Sequence, residues 1–316
     1  MNLSVVIPVY NGEETLVPLA ERLAQVLPGL ARGYEVLLVN DGSRDGSWGV
    51  IEALSQRYAW VQGIDLTRNF GQHNALLCGI RAARFEVCVT MDDDLQNLPE
   101  EIHGLLEKLD QGYDVVYGVP KKHRQSWWRN WGSVLTKWSV SFVVGREVSQ
   151  SVRDVSTFRA FRTDLRRSFE AYHGAEVILD GLLGWSTTRF ASVTVEEAPR
   201  TAGKSNYSFG KLASMALLIL TNFSTAPLRL ASILGFCFTV MGFLGLVYVV
   251  VQYFLLGSVP GFTFLASTIF VFGGVQLFAI GIIGEYLARL FERSSGRPLY
   301  TIARTTSPGG DASGAT

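Results

Sequence analysis

The sequence predicts an α/β protein in two parts: a mainly parallel β-sheet covered by helices, followed by a two-helix transmembrane hairpin. In the first part, short unbroken apolar segments alternate with segments of helical periodicity, which is the pattern of a parallel sheet with helices on both faces. Near the C-terminus, residues Leu230–Gly284 contain no charged side chain. A membrane-spanning helix needs about 20 apolar residues, so this stretch is long enough for two helices and a turn.

The alternation predicts the elements of the sheet domain in order. The strands are expected at Leu3–Val9, Glu35–Val39, Val61–Leu66, Glu86–Met91 and Asp114–Gly118. The helices between them are expected at Glu13–Val26, Trp48–Tyr58, His73–Ala83 and Pro99–Leu109. Apolar residues recur at one-face spacing in the first helix, and a proline suits the first turn of the last helix.

Composition excludes several other classes. The 316 residues include 28 Lys+Arg and 28 Asp+Glu, so the formal net charge is zero and bulk electrostatic binding of nucleic acid is not expected. A hydrophobic fraction of 48% is too high for a disordered chain. Cys78, Cys88 and Cys237 form no paired motif, which argues against a zinc site or a disulfide scaffold and favours a reducing compartment.

The uncharged stretch predicts membrane helices at about 231–256 and 263–287, joined by a turn at Gly257–Gly261. The alternative is a pair of buried core helices in a soluble protein. Arg229 precedes the first helix, Arg289 and Arg293 follow the second, and the turn is uncharged. The positive-inside rule therefore places both ends in the cytoplasm. Because Met1–Pro8 lacks a signal-peptide pattern, we expect a multi-pass inner (plasma) membrane protein with a cytoplasmic sheet domain.

Polar clusters follow the first four predicted strands: Pro8–Glu13, Asn40–Asp45, Arg68–Gln72 and Asp92–Asp94. Any one of them alone reads as a turn. Together they fall on the carboxyl edge of one parallel sheet, where such folds bind ligands. No GxGxxG motif follows a strand, and a phosphate loop ending in Gly203-Lys204-Ser205 fails because Ala198 stands where glycine is required.

The acidic triplet Asp92-Asp93-Asp94 predicts a site for Mg²⁺ or Mn²⁺. Residues two apart in an extended chain point the same way, so Asp92 and Asp94 share a face. Carboxylates without nearby cysteine or histidine favour a hard cation that substrate phosphates complete. The alternative is a solvated acidic turn.

Several motifs resemble the inverting family-2 glycosyltransferases with the GT-A fold, which is Rossmann-like. They include Val6-Ile7-Pro8-Val9-Tyr10-Asn11, Asn40-Asp41-Gly42-Ser43, Arg68-Asn69-Phe70-Gly71 and Asp92-Asp93-Asp94-Leu95-Gln96. Within that family the chain resembles the polyprenyl-phosphate glycosyltransferases, a group that includes dolichol-phosphate mannose synthase, the bactoprenol glucosyl transferases and the undecaprenyl-phosphate formamido-arabinose transferases. This likeness continues through Tyr207-Ser208-Phe209, Pro227-Leu228-Arg229 and Gly284-Glu285-Tyr286.

The resemblance implies roles for individual residues. The nucleotide sugar would be bound by Pro8, Tyr10, Glu13, Asp41, Asp92, Asp93, Gln96, Arg200 and Ser205. Asp94 would hold the metal, and Asp154 would occupy the place of a catalytic base beside Asp92 and Asp94. The usual Ser-Lys-Tyr is replaced by Ser205-Asn206-Tyr207, with lysine moved to Lys204.

A lipid acceptor is expected to meet the cations and tryptophans of the segment Lys121–Trp131. Tryptophan favours the headgroup level, and arginine pairs well with phosphate. We expect Arg124, Arg129 and Lys204 to hold the acceptor phosphate. The alternative is a basic surface loop with a packed aromatic cluster.

These inferences combine into one expected function and organisation. The chain is expected to transfer a sugar from a UDP-sugar, with inversion, to a polyprenyl (undecaprenyl) phosphate at the cytoplasmic membrane face. The alternative is a non-catalytic membrane scaffold or a partner of a sugar-lipid flippase. We expect a GT-A domain at 1–205, an amphipathic juxtamembrane segment at 206–229, two transmembrane helices at 230–288 and a cytoplasmic tail at 289–316, of which Thr305–Thr316 reads as disordered. The resemblance also implies a homo-oligomer, a tetramer. The sugar itself stays open.

Overall fold

The fold is described from a computed structural model of the chain, for residues 1–121, 156–172, 177–198, 226–256, 261–294 and 298–306. The chain divides into two compact units. One comprises Met1–Tyr207 together with Gly296–Thr316, and the other comprises Ser208–Ser295.

The first unit is built on an eight-stranded sheet in the order β7-β5-β6-β4-β1-β2-β3-β8. The strands are β1 (Asn2–Val9), β2 (Gly33–Asn40), β3 (Val61–Leu66), β4 (Val87–Thr90), β5 (Val115–Pro120), β6 (Arg159–Arg162), β7 (Phe190–Val195) and β8 (Ile302–Thr305). β1 pairs in parallel with β2 and β4, β2 with β3, and β5 with β7. β6 is antiparallel to both β4 and β5, and β8 is antiparallel to β3. The predicted α/β class with a mainly parallel sheet is confirmed.

Helices cover both faces of this sheet. They are α1 (Leu16–Leu30), α2 (Ser47–Arg57), α3 (Gln72–Ala82), α4 (Ile102–Asp110, after a 3-10 turn at Pro99–Glu101) and α5 (Leu179–Ser186). α1, α2 and α4 pack against the face that carries Val5 and Ile7 of β1, whereas α3 and α5 pack on the face that carries Val6. The alternation of β1 side chains between two apolar cores explains why its residues from Val5 to Val9 are all apolar.

The second unit contains two long helices, α6 (Ala226–Leu256) and α7 (Phe262–Ser294). In the described residues, the segment Ala231–Leu255 is long and apolar enough to cross a membrane, and a shorter apolar segment runs over Phe272–Ala288. Large apolar side chains such as Phe254 point outward rather than into a core. The helices pack through Phe238 and Phe272, whose ring centroids are 6.2 Å apart.

Strand β8 follows the two long helices in sequence and returns to the sheet. The N–H of Thr67 donates to the carbonyl of Thr301 at 2.9 Å, and the N–H of Thr306 donates to the carbonyl of Gly63 at 2.9 Å. From the sequence, residues 289–316 are expected to form a tail in which Thr305–Thr316 is disordered. The structure corrects that expectation for Thr305 and Thr306, because β-pairing with β3 satisfies their backbone groups. Residues 307–316 lie outside the described part of the chain.

Candidate active site

A cavity of about 460 Å³ opens at the carboxyl ends of the central strands. Its lining residues come from the ends of β1, β2 and β4 and from the loop between β3 and α3, and they are Pro8, Val9, Tyr10, Asp41, Asn69, Gly71, Gln72, Asp92, Asp93 and Asp94. The structure therefore brings together six of the site residues predicted from the sequence: Pro8, Tyr10, Asp41, Asp92, Asp93 and Asp94. Tyr10 is 48% exposed, so its side chain is available to a ligand.

Asp41 joins two of the loops that line the cavity. Its carboxylate accepts hydrogen bonds from the N–H of Phe70 at 2.7 Å and from the N–H of Gly71 at 2.9 Å. Burial raises the pKa of Asp41, and the two backbone hydrogen bonds act in the opposite direction. Both carboxylate oxygens are thus engaged by the protein, so Asp41 shapes the cavity through the loop at Phe70–Gly71.

The close contact between the loop after β2 and the loop after β3 requires glycine at position 42, Gly42. Its φ is +62°, and a Cβ there would lie 2.4 Å from the carbonyl carbon of Arg68 and 2.4 Å from the nitrogen of Asn69. Both of those atoms belong to the backbone, which cannot move aside as the end of a side chain can. Only glycine lets the loop after β2 approach the loop after β3 this closely.

The loop after β1 is tied to the start of α2. The N–H of Asn11 donates to the hydroxyl of Ser43 at 3.0 Å, and the N–H of Arg44 donates to the side-chain oxygen of Asn11 at 2.9 Å. Glu13 accepts a hydrogen bond from the N–H of Gly46 at 2.9 Å and does not line the cavity. Its carboxylate satisfies a backbone donor at the N-terminus of α2, and its role toward the nucleotide sugar stays a prediction.

The carboxylate of Asp92 is held on both sides. Gln72 donates to one oxygen at 2.6 Å, and the hydroxyl of Thr157 donates to the other at 2.7 Å. Burial raises the pKa of Asp92, the Thr157 hydrogen bond lowers it, and the nearby charge of Asp94 raises it again. Neither Gln72 nor Thr157 is among the predicted site residues, although Gln72 belongs to the predicted polar cluster Arg68–Gln72.

Asp93 and Asp94 complete an acidic wall. Burial, with a further contribution from Asp92 and Asp94, raises the pKa of Asp93 to about 7, and the N–H of Tyr10 donates to its carboxylate at 3.4 Å. Asp94 accepts hydrogen bonds from the backbone N–H of Gln96 at 3.1 Å and from the Gln96 side chain. Gln96 is therefore engaged with Asp94, which lines the cavity, and its predicted role facing the sugar stays a prediction.

The acidic wall fits a divalent cation that is shared with a ligand. Among the residues that the structure describes, no three acidic, histidine or cysteine side chains are arranged to hold a metal ion by themselves. Mg²⁺ is commonly bound by one or two carboxylates and completed by substrate phosphates and water. Asp92 and Asp93 are adjacent, partly buried carboxylates whose pKa values are raised by burial and by neighbouring carboxylates, so such a cation would stabilise them.

A buried polar cluster is connected to Asp92 through Thr157. Arg159 is fully buried and donates from Nε to the Thr90 hydroxyl at 3.2 Å, and it pairs with Asp180. The Thr90 hydroxyl donates to the carbonyl of Thr157 at 2.7 Å, which fixes the residue that holds Asp92. A buried arginine beside the site was not predicted, because its partner Asp180 comes from a distant helix.

Several predicted site residues cannot be placed. They lie in parts of the chain outside the described residues and comprise Asp154, Arg200, Ser205, Arg124, Arg129 and Lys204. The predicted juxtamembrane segment 206–229 is described only from residue 226. The roles of these residues stay predictions.

Comparison with known proteins agrees with a sugar-transferring enzyme built on this fold. A sequence profile described as glycosyl transferase family 2 matches residues 4–169, and a profile described as the GtrB C-terminal hairpin matches residues 226–290. The chain belongs to glycosyl transferase family 2. The predicted family, the GT-A fold class and the C-terminal hairpin are thereby confirmed.

Curated relatives match over nearly the whole chain. The undecaprenyl-phosphate 4-deoxy-4-formamido-L-arabinose transferase of Pseudomonas paraeruginosa is 36% identical over 96% of this chain and 89% of its own length. The protein of the same name from Proteus mirabilis is 37% identical over 96% of this chain and 93% of its own length.

Solved structures share the fold at low identity. Glucosyl-3-phosphoglycerate synthase of Mycobacterium tuberculosis aligns with a TM-score of 0.50 and 17% identity, over 70% of this chain and 78% of that one. A mycobacterial protein aligns with a TM-score of 0.51 and 18% identity, over 70% of this chain and 72% of that one. At such identities the likeness describes the fold alone.

Proposed function

We propose that this chain transfers a sugar from a UDP-sugar, with inversion, to an undecaprenyl-type polyprenyl phosphate at the cytoplasmic face of the inner membrane. The observation that carries the proposal is the acidic cavity at the strand ends of a family 2 domain whose chain continues into an apolar hairpin. Relatives that span 96% of the chain are named for transfer to undecaprenyl phosphate, which supports the choice of acceptor. A non-catalytic scaffold or flippase partner would not need such a cavity.

The donor is proposed to lie along the cavity from Tyr10 to Asp94. The exposed ring of Tyr10 offers a flat apolar surface for the base, and the Asp41 carboxylate holds the loop that faces it. The acidic end at Asp92 and Asp94 repels a bare diphosphate, so binding there requires a cation. We propose Mg²⁺ or Mn²⁺, held by Asp94 with Asp92 beside it.

When bound, such a cation would neutralise the negative charge that develops on the leaving UDP. Hydrogen bonds within the chain orient the carboxylates that would hold the cation. Gln96 orients the Asp94 carboxylate through its backbone N–H and its side chain. Gln72 and Thr157 hold Asp92 from opposite sides, so neither carboxylate has to be reoriented when the donor arrives.

The acceptor needs little activation. The second pKa of a phosphate monoester is about 6, so a polyprenyl phosphate is largely a dianion at neutral pH and attacks the anomeric carbon without losing a proton. Asp154 is therefore proposed to orient the acceptor rather than to act as a strong base. Arg124, Arg129 and Lys204 are proposed to hold its phosphate, because arginine grips phosphate with two parallel donors.

The proposal is tested with purified full-length protein in detergent. UDP release is measured from a panel of UDP-sugars, with and without undecaprenyl phosphate, and in Mn²⁺ or excess chelator. We expect release from one sugar of the panel, dependent on both the lipid phosphate and the cation. UDP release at the same rate with and without the lipid phosphate would contradict the proposed acceptor. UDP release in excess chelator would contradict the proposed cation.

A further inference from the structure

Strand β8 places an arginine side chain beside a buried carboxylate on the neighbouring strand β3. Asp65 of β3 is 8% exposed, and Nε of Arg304 donates to its carboxylate at 2.9 Å. The Arg304 guanidinium also lies 4.8 Å from the centre of the Trp48 ring and 4.0 Å from the Glu52 carboxylate, both on α2. A buried carboxylate needs such a partner, because an unpaired charge away from water is costly.

Asp65 in turn fixes a side chain at the end of β2. Its other carboxylate oxygen accepts a hydrogen bond from the amide nitrogen of Asn40 at 2.6 Å. Because the nitrogen of this amide is committed to Asp65, the oxygen faces the opposite way and accepts from the hydroxyl of Ser43 at 2.5 Å. Asn40 itself is buried.

Ser43 carries the chain of contacts to the cavity. The Ser43 hydroxyl donates its hydrogen bond to Asn40, so its oxygen is free to accept a hydrogen bond from the N–H of Asn11 at 3.0 Å. Asn11 has φ +54°, an uncommon backbone conformation for a residue other than glycine, so its loop depends on such contacts. The preceding residue is Tyr10, which lines the cavity.

We infer that Arg304 is a positioning residue for the nucleotide site, acting through Asp65, Asn40 and Ser43 on the loop at Tyr10–Asn11. The chain segment that follows the membrane hairpin thus takes part in binding the donor rather than only covering the edge of the sheet. This inference rests on the proposed function, in which Tyr10 faces the base of a UDP-sugar.

The test compares Arg304→Gln with Thr306→Val in full-length protein. The Thr306 hydroxyl accepts from the N–H of Gly63 at 2.7 Å, so Thr306→Val weakens the docking of the same strand without touching the contacts from Arg304 to Asn11. For each variant, the Kd for UDP in Mg²⁺ is measured by calorimetry. Amide hydrogen exchange of residues 10–13 is measured without nucleotide.

Arg304→Gln is expected to raise the Kd for UDP and to speed exchange of residues 10–13, each by at least about tenfold, the lower end of what one hydrogen bond to a charged group contributes. Thr306→Val is expected to change neither. Arg304→Lys keeps the charge beside Asp65 and is expected to recover part of the loss. If Arg304→Gln does not fold, Asn40→Ala interrupts the contacts while leaving Arg304 and Asp65 paired, and the same changes are expected.

Unchanged Kd and unchanged exchange in Arg304→Gln, or equal changes in Thr306→Val, would overturn the inference. Failure of the proposed function looks different, because the wild-type protein would then not bind UDP at all. The exchange measurement needs no nucleotide, so in that event it still decides whether Arg304 positions the loop.

Discussion

The three adjacent carboxylates at the end of β4 differ in their partners. Asp92 is held by Gln72 and Thr157, Asp94 is held by Gln96, and Asp93 accepts a long hydrogen bond from the N–H of Tyr10. Two carboxylates are thus oriented by side-chain or backbone donors, whereas burial and the neighbouring carboxylates raise the pKa of the third, Asp93. These differences lead to separate predictions for Asp94 and Asp93.

Asp94→Asn should abolish transfer while leaving the fold intact. The amide oxygen of asparagine can still accept from the N–H of Gln96, but an anionic ligand for the cation is lost. We expect turnover to fall by at least about a hundredfold, because a catalytic cation supplies several kcal/mol. Asp110→Asn, at an exposed carboxylate at the end of α4, is the matched control and should retain full turnover. Full activity in Asp94→Asn would refute the metal assignment.

Asp93→Asn should change how stability depends on pH. The pKa of Asp93 is raised from 3.8 to about 7 in the folded protein, so the folded state binds this proton more tightly than the unfolded state does. The wild-type protein therefore loses stability as pH rises from about 4 to 7, and Asp93→Asn removes that loss.

The measurement is the thermal unfolding of both proteins at pH 5 and pH 8 in chelator, since a bound cation would lower the pKa. From pH 5 to pH 8, the free energy of unfolding of Asp93→Asn should rise relative to that of the wild type by about 1 kcal/mol or more, the equivalent of one pKa unit. Parallel pH profiles for the two proteins would contradict the raised pKa.

At the scale of elements, the cavity depends on loops that fasten one another at the strand ends. The loop after β2 holds the loop after β3 through Asp41, and it holds the loop after β1 through Ser43. The strands and helices set the positions of these loops, and the contacts between loops then set the shape of the cavity.

Gly42→Ala should damage the cavity more than the sheet. An alanine Cβ would lie 2.4 Å from backbone atoms, and φ +62° disfavours alanine. We therefore expect the free energy of unfolding to fall by about 1–3 kcal/mol and the affinity for UDP to weaken. Gly49→Ala is the control, because Gly49 is exposed on α2 with nothing within 4 Å of an added Cβ. There alanine should be neutral or should stabilise the helix by up to about 1 kcal/mol. Equal effects of the two substitutions on UDP binding would argue against the loop contact.

The same elements show how far the sequence predicts the structure. β1 to β5 and α1 to α4 follow from periodicity, because each buries an apolar run or an apolar face. β6, β7 and α5 were not predicted, since they are short and depend on pairing with residues far away in the chain. β8 is the extreme example, because Asp65 and Arg304 are 239 residues apart.

The candidate site divides in the same way. The carboxylates of Asp92 to Asp94 could be predicted because they are consecutive and end a buried strand. Their partners Gln72 and Thr157 could not, because they reach Asp92 only when loops from separate parts of the chain meet. The hydrogen bonds of Glu13 to Gly46 and of Gln96 to Asp94 likewise depend on the local geometry of the loops, which the sequence pattern does not predict.

At the scale of the whole molecule, the proposed function requires the turn of the hairpin and its C-terminal end to lie on opposite sides of the membrane. Cysteines introduced at Ser258 and Ser295, both outside the described residues, should react with an impermeant maleimide from opposite sides of sealed membrane vesicles, with Ser295 on the cytoplasmic side. Cys78 and Cys88 are buried, and burial raises the pKa of Cys78 to about 12, so only Cys237 has to be replaced beforehand. Reaction of both positions from one side would contradict the hairpin topology.

The most direct test of the central claim follows the sugar itself. Full-length protein is incubated with a UDP-sugar that it accepts, labelled in the sugar, and with undecaprenyl phosphate, and the label is then partitioned between water and organic solvent. We predict that the label enters the organic phase as a lipid phosphosugar of inverted anomeric configuration, only when the lipid phosphate is present and not with Asp94→Asn. Label that stays in water while UDP is released would mean hydrolysis and would contradict the account.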